Sequence, residues 1–321
     1  MQSFIDIISG YKKVKLFYYV KSHLQLIIPN WYLNKYKSFL TNYFKSEEEL
    51  ANISKRVSYY NQISKGDKLG KKALMIQNLS RKESRSTYFY DSMEYLRYFN
   101  QHLKINTLFG DITHTPNFPT LVKSRPITEN KNSILLKLDK QRHFLFLKDR
   151  INFSKKKKQL IGRGMVNNQK HLRVSFLESH FNNPLCDVGH TNKFRDNKWK
   201  VDFVSIREQL QYKFILCWEG NDVATNLKYV MSSNSLAVTT KPKYETWFME
   251  GSLIGGVHYV EIKNDFSDLD EKLIYYSEHI DEAEKIIKNA NEYTKQFQNK
   301  KREDLISIKV LEKYFQNSNQ L

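Results

Sequence analysis

The chain has little cysteine, glycine or proline, and it has no long apolar run. Two cysteines, Cys186 and Cys217, are too few for a disulfide framework and indicate a reduced, intracellular protein. A content of 11 glycines and 6 prolines argues against collagen-like and linker-rich architectures. No run approaches the ~18 apolar residues of a membrane span, and Lys12, Lys13 and Lys15 interrupt the stretch that a secretion signal would keep apolar.

Basic residues dominate what is present. The chain has 52 Lys and Arg against 34 Asp and Glu, a formal net charge of +18. A protein with this charge attracts anionic partners. The candidate partners are nucleic acid, an anionic membrane face and phosphorylated small molecules. A hydrophobic content of 40% suffices for a sizeable core, and 321 residues predict two domains or one large one.

The first 60 residues interleave Tyr, Phe, Leu and Ile with Lys, largely at helical spacing. This pattern is typical of amphipathic helices that cover a core. Alternatively, the basic and aromatic side chains contact a membrane surface. A four-lysine run at Lys155–Lys158 is typical of a solvated linker, and it predicts a domain boundary.

Strand-like and helix-like segments alternate after this run, as in parallel sheets built with right-handed crossovers. The pattern therefore predicts an α/β fold with a Rossmann-type second half. The segments are strands over Leu160–Gly164, Lys213–Trp218, Ser235–Val238 and Val257–Ile262, and helices over Arg173–His180, Asp222–Ser232, Tyr244–Glu250, Leu269–His279 and Glu282–Phe297.

Three stretches could hold an anion or a catalytic base. Glu219–Lys228 follows a buried strand, and a Gly turn with Asn, Asp and Thr before a helix exposes backbone N–H groups, although the same residues also serve as caps. Gly162–Gly164, with Arg173 beyond it, offers close backbone approach and guanidinium groups, or a tight turn with a solvated Arg. Asp111 and His114 follow a strand, where a carboxylate is either a general base or a turn cap.

Three other patterns are weaker. Asp268 and Asp270 form a DxD pair, which N-capping explains better than metal binding. Cys186, His180 and His190 fit no closed zinc site. No GxxxxGK[ST] or GxGxxG phosphate loop occurs. A further pair, Glu261 and Lys263, resembles the ExK half of a nuclease site, and with the +18 charge it keeps a nucleic-acid-binding or nuclease alternative open.

In order along the chain, FGDITHTPNFPTLVKSRPI, LIGRG and YKFILCWEGNDVATNLKY followed by VHYVEIK resemble glycosyltransferase family 90, closest to its bacterial lipopolysaccharide members. The resemblance runs from Ile105 to Ala290. It implies two Rossmann-like domains that face each other, a GT-B fold. We expect an acceptor-side domain over residues 1–155, a nucleotide-sugar domain over 156–290, and C-terminal helices over 291–321 that pack back on the first domain.

The resemblance also implies roles for single residues. Asp111 matches the catalytic base, which takes the proton of the acceptor hydroxyl. The residues matching the nucleotide-sugar site are Arg163, Gly164, Arg173, Gly220, Asn221, Asp222, Val223, Ala224, Thr225, Asn226, Lys228 and Glu245. Met165 and Asn226 depart from frequent family residues, so the sugar specificity is not transferred.

The implied activity is that of an inverting, metal-independent hexosyl- or pentosyltransferase. It would move a sugar from a UDP-sugar to a lipopolysaccharide or other surface glycan, with no cofactor and no nucleic acid. We expect it in the cytoplasm, peripheral at the cytosolic face of the inner membrane and in contact with its anionic surface. The alternative to the enzyme within this resemblance is a catalytically silent relative that binds nucleotide-sugars.

Overall fold

A computed structural model describes residues 16–82, 86–167, 171–194 and 197–321. It confirms the predicted mixed α/β class, with parallel sheets. The helices are α1 (16–26), α2 (Asn30–Tyr43), α3 (Glu47–Tyr60), α4 (Ser86–Leu96), α5 (Lys140–His143), α6 (His171–His180), α7 (Ile206–Gln209), α8 (Leu227–Met231), α9 (Leu269–Glu278), α10 (Ile280–Lys295) and α11 (Lys300–Asn317).

The strands are short, and most of them belong to parallel sheets. They are β1 (Leu74–Met75), β2 (Lys104–Ile105), β3 (Thr107–Leu108), β4 (Thr120–Val122), β5 (Ser124–Pro126), β6 (Ser133–Leu135), β7 (Lys157–Gly164), β8 (Cys186–His190), β9 (Tyr212–Leu216), β10 (Leu236–Thr239), β11 (Tyr244–Thr246) and β12 (Val260–Glu261).

The chain forms two compact units. Unit 1 comprises the residues up to Arg142 together with Tyr244–Met249 and Phe297–Leu321, and unit 2 comprises His143–Lys243 and Glu250–Gln296. The domain boundaries expected near residues 155 and 290 stay a prediction. No helix within the described ranges is long and apolar enough to cross a membrane.

Unit 2 is built on a five-stranded parallel sheet with the strand order β12-β10-β9-β7-β8. The chain runs outward from β7 to β8 and then returns past β7 to β9, β10 and β12. Numbered along the chain, this is the order 2-1-3-4-5 of a doubly wound sheet, in which ligands bind where the winding direction reverses. The switch point of this sheet lies between the carboxyl ends of β7 and β9.

One face of this sheet carries the main core of unit 2. Leu160, Phe214 and Val238 on the strands are buried in one apolar cluster with Phe176 of α6 and Leu273 of α9. On α10, buried residues recur at the three- and four-residue spacing of an amphipathic helix, at Ala283, Ile286, Ile287 and Ala290. This packing holds the carboxyl edge of the sheet in place.

Unit 1 contains a smaller parallel sheet with the order β3-β4-β6. Its strands are only two or three residues long, but Leu121, Ile134 and Leu135 are completely buried. Helix α11 packs against α2, α3 and α4 of the same unit. The β5 and β11 strands form a separate antiparallel pair.

The lysine run at 155–158 is not the solvated linker that the sequence predicted. Lys155 ends a short 3-10 helix, and β7 begins at Lys157. The Lys156 side chain is buried and its ammonium lies 2.7 Å from the Asp149 carboxylate. A buried carboxylate stabilises this cation inside the protein, which charge counting along the chain does not detect.

The helix predicted over Tyr244–Glu250 is also wrong. Tyr244–Thr246 forms β11, and Met249, with φ of 55°, lies in the left-handed region. The Trp247 ring stacks on Tyr60 with centroids 3.8 Å apart, and its indole N–H donates to the Glu303 carboxylate at 2.6 Å. These tertiary contacts within unit 1 favour the extended conformation over the local helical propensity.

Candidate active site

Three residues meet at the switch point of the unit 2 sheet. The sequence predicted a ligand-binding role for Gly164 and Arg173, and the third residue, Trp218, directly precedes the predicted stretch Glu219–Lys228. Gly164 ends β7, Arg173 projects from α6, and Trp218 follows β9. A Cβ atom on Gly164 would lie 3.0 Å from Nε1 of Trp218 and 3.2 Å from Nη1 of Arg173. Glycine at position 164 therefore makes room for the guanidinium and the indole at the strand end.

The Arg173 guanidinium bridges the ends of β7 and β9 through backbone carbonyl groups. Its Nη1 donates to the Met165 carbonyl at 2.8 Å, Nη2 donates to the Trp218 carbonyl at 3.1 Å, and Nε donates to the Glu219 carbonyl at 3.2 Å. The guanidinium also lies over the Trp218 ring, 5.3 Å from its centroid. Carbonyl dipoles and the aromatic face hold this cation at the switch point.

Arg173 has no carboxylate partner among the residues that the structure describes. Burial lowers the pKa of its guanidinium to about 10, since desolvation disfavours the charged form. The approach of an anion lowers the free energy of a half-buried cation that only neutral carbonyls compensate. The switch point of unit 2 is thus suited to an anionic ligand.

The loop after β9 differs from its prediction in one respect. The helix expected from Asp222 begins only at Leu227, and α8 spans five residues. Glu219 accepts a bond from the Lys243 N–H at 2.9 Å, and the Asn226 side chain donates to the Leu216 carbonyl at 2.9 Å. Hydrogen bonds to the end of β9 and to the backbone before β11 stabilise the loop, and only a short helix follows it.

Exposure varies along this loop. The residues predicted for the nucleotide are Gly220, Asn221, Asp222, Val223, Ala224, Thr225 and Asn226; Asn221 is exposed, whereas Asp222, Val223 and Ala224 are buried. Any contact of the three buried residues with a ligand would thus be made through the backbone, or after the loop moves.

Two predicted cations lie in ion pairs instead. The Arg163 guanidinium lies 2.5 Å from the Asp187 carboxylate on the neighbouring strand, and Tyr212 donates to the same carboxylate at 2.7 Å. The Lys228 ammonium is completely buried against Glu250. The structure therefore gathers Gly164 and Arg173 at the switch point and directs Arg163 and Lys228 to carboxylates.

Unit 1 places Asp111 after the β3 strand of its parallel sheet. Gly110, with φ of 137°, turns the chain immediately before it, a conformation that favours glycine. The Asp111 carboxylate accepts a hydrogen bond at 2.6 Å from the ammonium of Lys123, which follows β4 and is itself buried. Asp111 retains 28% of its side-chain exposure, so a ligand can reach it.

A second carboxylate, Asp139, belongs to this cluster. Burial raises its pKa, the cations Arg142 and Lys123 oppose this rise, and the Asp111 charge adds to it. Asp111, Lys123 and Asp139 follow β3, β4 and β6, whose carboxyl ends meet at one edge of the sheet. Such an edge is where α/β proteins bind ligands.

Glu245 also lies in unit 1, on β11. Its carboxylate is buried and accepts a hydrogen bond from Nε of Arg125 at 2.8 Å and another from the Tyr59 hydroxyl. These three residues line a polar cleft of about 520 Å³ together with Asn130 and Asn132. Amide groups, carboxylates and an aromatic ring are the side chains that recognise hydroxyl-rich ligands.

The weaker sequence patterns acquire structural roles. Asp268 stands at the N-cap of α9, but its side chain accepts from the Lys263 N–H at 2.9 Å and does not cap the helix. Asp270 accepts from the Asn183 amide at 2.7 Å. His190 is buried and bonded through Nδ1 to the Asn192 carbonyl. Across the described residues, His, Cys, Asp and Glu form no group of three that could hold a metal ion.

Sequence reasoning missed Lys123, Asp139 and Trp218. A usable signal exists for each of them, because each comes within four residues of the end of a buried parallel strand. A polar or aromatic residue at that position faces the ligand-binding edge of an α/β sheet.

Comparison with known proteins identifies the family to which this α/β chain belongs. The model for Glycosyl transferase family 90 matches residues 135–317. The O-glucosyltransferase LpsA of Dichelobacter nodosus is 43% identical over 305 residues, which are 94% of this chain and 95% of that protein. The chain therefore belongs to glycosyl transferase family 90, as the motif order predicted.

Animal relatives match a shorter part of the chain. Protein O-glucosyltransferase 3 of Rattus norvegicus and of Homo sapiens are each 28% identical over 158 residues, 47% of this chain and 30% and 31% of the respective proteins. The matched span of the family model begins at residue 135, after Asp111 and Lys123. The family assignment thus covers the unit 2 switch point, and the case for Asp111 depends on its geometry and on the resemblance of its motif.

Proposed function

We propose that this protein is an inverting glycosyltransferase that moves a sugar from a UDP-sugar to a hydroxyl group of a lipopolysaccharide or related surface glycan. The observation that carries the donor half is the Arg173 guanidinium at the switch point of unit 2, which pairs with carbonyl groups and with no carboxylate of the described residues. The name of the bacterial relative, an O-glucosyltransferase, favours a hexose donor. The GT-B arrangement expected from the motif resemblance is part of the proposal.

Arg173 would stabilise the leaving group. As the bond from the anomeric carbon to the diphosphate breaks, negative charge grows on the departing oxygen, and a positioned cation lowers the energy of that transition state. Arg173 is held by three carbonyl groups before a ligand arrives, so little reorganisation is required. Glycine at position 164 lets the guanidinium lie close against the end of β7, where it would meet the diphosphate.

Asp111 would act as the general base. It would accept the proton of the acceptor hydroxyl while the oxygen of that hydroxyl forms a bond to the anomeric carbon, on the face opposite UDP, which inverts the configuration. A general base must be ionised and within reach of the acceptor. The Lys123 ammonium at 2.6 Å favours the ionised carboxylate, and the remaining exposure of Asp111 admits the acceptor.

The roles of Arg163, Lys228, Glu245 and the residues from Gly220 to Asn226 in donor binding stay predictions. Arg163 would have to leave Asp187 to contact a diphosphate. Metal independence is proposed too, because an arginine can supply the charge that a divalent ion supplies elsewhere. Transfer should then be insensitive to EDTA; a loss of transfer that Mn²⁺ restores would contradict this part.

The donor class can be tested by thermal shift. UDP-, GDP- and CMP-sugars are added in turn, and a nucleotide-sugar that binds the native state raises the melting temperature. We expect stabilisation by UDP and UDP-hexoses and little by the GDP and CMP series. Stabilisation by GDP- or CMP-sugars alone would overturn the donor assignment, and UDP binding without turnover of any UDP-sugar would indicate a catalytically silent relative.

We place the reaction at the cytosolic face of the inner membrane, where a lipid-linked glycan acceptor would be extended. The +18 net charge of the chain supports this placement, since anionic lipid and phosphorylated glycan both attract a basic protein. Fractionation of cells should find the protein with the membranes and release it at high salt.

A further inference from the structure

Helix α1 of unit 1 turns an apolar stripe outward. Leu16, Phe17, Val20, Leu24 and Ile27 are each between 50% and 76% exposed. Leu16, Phe17, Val20 and Leu24 are spaced by one, three and four residues, which keeps them within about one third of the helix circumference, and Ile27 lies in the turn directly after the helix. A surface helix of a globular protein usually buries such a stripe.

The opposite face of α1 is polar and is fixed to α4. Tyr18 donates to the Asp91 carboxylate at 2.9 Å, and the Gln25 amide donates to the Glu94 carboxylate at 3.2 Å. Arg97 of unit 1 also donates to the Gln25 and Ile28 carbonyl groups. These bonds set the rotation of the helix, so the outward direction of the apolar stripe is specified by named contacts.

Helix α2, the next helix along the chain, also exposes aromatic side chains. Trp31 is 68% exposed, and Tyr32, Phe39 and Tyr43 are between 44% and 50% exposed. The ammonium of Lys301 lies over the Tyr43 ring, 4.0 Å from its centroid. Trp and Tyr rings beside lysines are typical of protein surfaces that lie at the boundary between lipid headgroups and acyl chains.

The charged side chains within this segment of the chain have one sign. Residues 16–45 contain four lysines, Lys21, Lys35, Lys37 and Lys45, and no Asp or Glu. Lys37 pairs with Glu312, and acidic residues resume only at Glu47, in the first turn of α3. A second copy of the chain would bring two such cationic surfaces together, which like-charge repulsion opposes.

We propose that the exposed faces of α1 and α2 dock onto an anionic phospholipid bilayer. This α1–α2 surface consists of the exposed side chains of Leu16, Phe17, Val20, Leu24, Ile27, Trp31, Tyr32, Phe39 and Tyr43 with Lys35 and Lys301. The apolar stripe inserts among the headgroups, and the lysines contact the lipid phosphates. The surface would hold the enzyme beside a lipid-linked acceptor. This inference rests on the proposed function, which places the reaction at the membrane, and it names the part of the chain that contacts the lipid.

Vesicle sedimentation of the full chain tests the proposal. Wild type is mixed with phosphatidylglycerol–phosphatidylethanolamine vesicles and, separately, with phosphatidylcholine vesicles. We expect binding to the anionic vesicles that weakens with salt, and little binding to the neutral ones. The Leu24→Glu/Ile27→Glu variant should lose about 10-fold or more in partitioning, since each side chain contributes apolar burial at the interface.

Ile274→Glu is the matched control, because Ile274 is an exposed isoleucine on α9 of unit 2, 50% exposed. It should bind vesicles like wild type, and all variants should keep the wild-type melting temperature and UDP affinity. A wild type that ignores anionic vesicles, or an equal loss in Ile274→Glu, overturns the proposal. So does a wild-type dimer that Leu24→Glu/Ile27→Glu converts to monomer while vesicle binding persists, which would assign the surface to a second copy.

UDP affinity separates this inference from the proposed function. Vesicle binding by a protein that binds no UDP-sugar would leave the docking surface standing and remove the enzyme assignment. Normal UDP-sugar transfer to a soluble acceptor by a protein that does not bind vesicles would support the enzyme assignment and remove the docking surface.

Discussion

The guanidinium of Arg173 lies over the indole of Trp218, at the point where the winding of the unit 2 sheet reverses. Trp218 shields one face of the cation, and the carbonyl groups of the strand ends hold its N–H groups. A cation fixed in this way is available to a diphosphate without first leaving a carboxylate. Arg163, next to Gly164 on β7, is paired with Asp187 of β8 and would have to give up that partner.

Replacement of Arg173 should weaken UDP binding more than any other single change at the switch point. Hydrogen bonds to charged groups contribute about 1.5–3 kcal/mol, so Arg173→Met should raise the Kd of UDP by about 10- to 100-fold. Arg173→Lys keeps the charge but cannot bridge both strand ends, so we expect an intermediate loss. Isothermal titration with UDP measures both.

Arg150→Met is the control for that series, because Arg150 is an exposed arginine of the same unit. Its UDP affinity should equal that of wild type. Equal UDP affinity of Arg173→Met and wild type would remove Arg173 from the donor site.

Gly164 and Gly162 on β7 form a matched pair for a second prediction. A Cβ atom at position 164 would crowd Trp218 and Arg173, so Gly164→Ala should weaken UDP binding by about 3- to 10-fold, or about 1 kcal/mol. A Cβ atom at position 162 would instead lie 3.0 Å from Cδ2 of Leu216 in the core, so Gly162→Ala should lower the free energy of unfolding by about 1–3 kcal/mol.

The two alanine variants should therefore separate in two measurements, denaturant unfolding and UDP titration. Folded Gly162→Ala should bind UDP nearly as well as wild type. If both variants lose stability and neither loses affinity, the close approach at Gly164 serves packing alone.

Lys123 should influence the pH at which the proposed base, Asp111, takes up a proton. Lys123→Met removes the ammonium beside Asp111, and a carboxylate without its cation takes up a proton more readily. The acidic limb of the kcat/KM profile should move to higher pH, while the Kd of UDP stays unchanged. Lys104→Met, at an exposed lysine of the same unit, should leave the profile in place. An unmoved limb in Lys123→Met would mean that Asp111 does not set it.

Glu94 should make the free energy of unfolding depend on pH in the acidic range. Burial alone would raise the pKa of Glu94, but Lys140 and Lys300 outweigh it and lower the pKa to about 2. A lowered carboxyl pKa contributes stability that is present above about pH 4.5 and is lost as the pH falls toward 2. Glu94→Gln should thus be less stable than wild type by about 3 kcal/mol at neutral pH, with the difference shrinking below pH 4.5.

Denaturant unfolding of both proteins from pH 7 to pH 2.5 measures this difference. Burial raises the pKa of Asp91 to about 6, so Asp91 also titrates in this range. Because Asp91 is present in both proteins, most of its effect on stability cancels in the difference between them. A stability difference that stays constant over this range would contradict the assignment of the acid sensitivity to Glu94.

The sequence predicted the α/β class and most of the unit 2 elements, because strands such as β9 are short, apolar and followed by turn residues. It could not predict the β11 strand. Tyr244–Met249 leaves unit 2 in sequence and joins unit 1 in space, where β5 and Tyr60 specify its conformation. Local periodicity carries no information about such distant partners.

The candidate site was predictable to a similar extent. Gly164 and Asp111 were found from their positions at strand ends, and Arg173 from its place nine residues beyond Gly164. The sequence treated Arg163 and Arg173 alike, and only the pairing of β7 with β8 shows that Asp187 holds the first of them. The charge of +18 likewise indicated an anionic partner without its class, and the sugar nucleotide and the anionic lipid that we propose are two such partners.

Transfer by Asp111→Asn tests the account most directly. Asparagine keeps the shape of the side chain but cannot accept the acceptor proton, and general-base catalysis contributes about 10²- to 10⁴-fold. With purified protein, a UDP-hexose and a glycan acceptor, we expect a loss of kcat in that range with the Kd of UDP unchanged. Transfer by Asp111→Asn at close to the wild-type rate would contradict it.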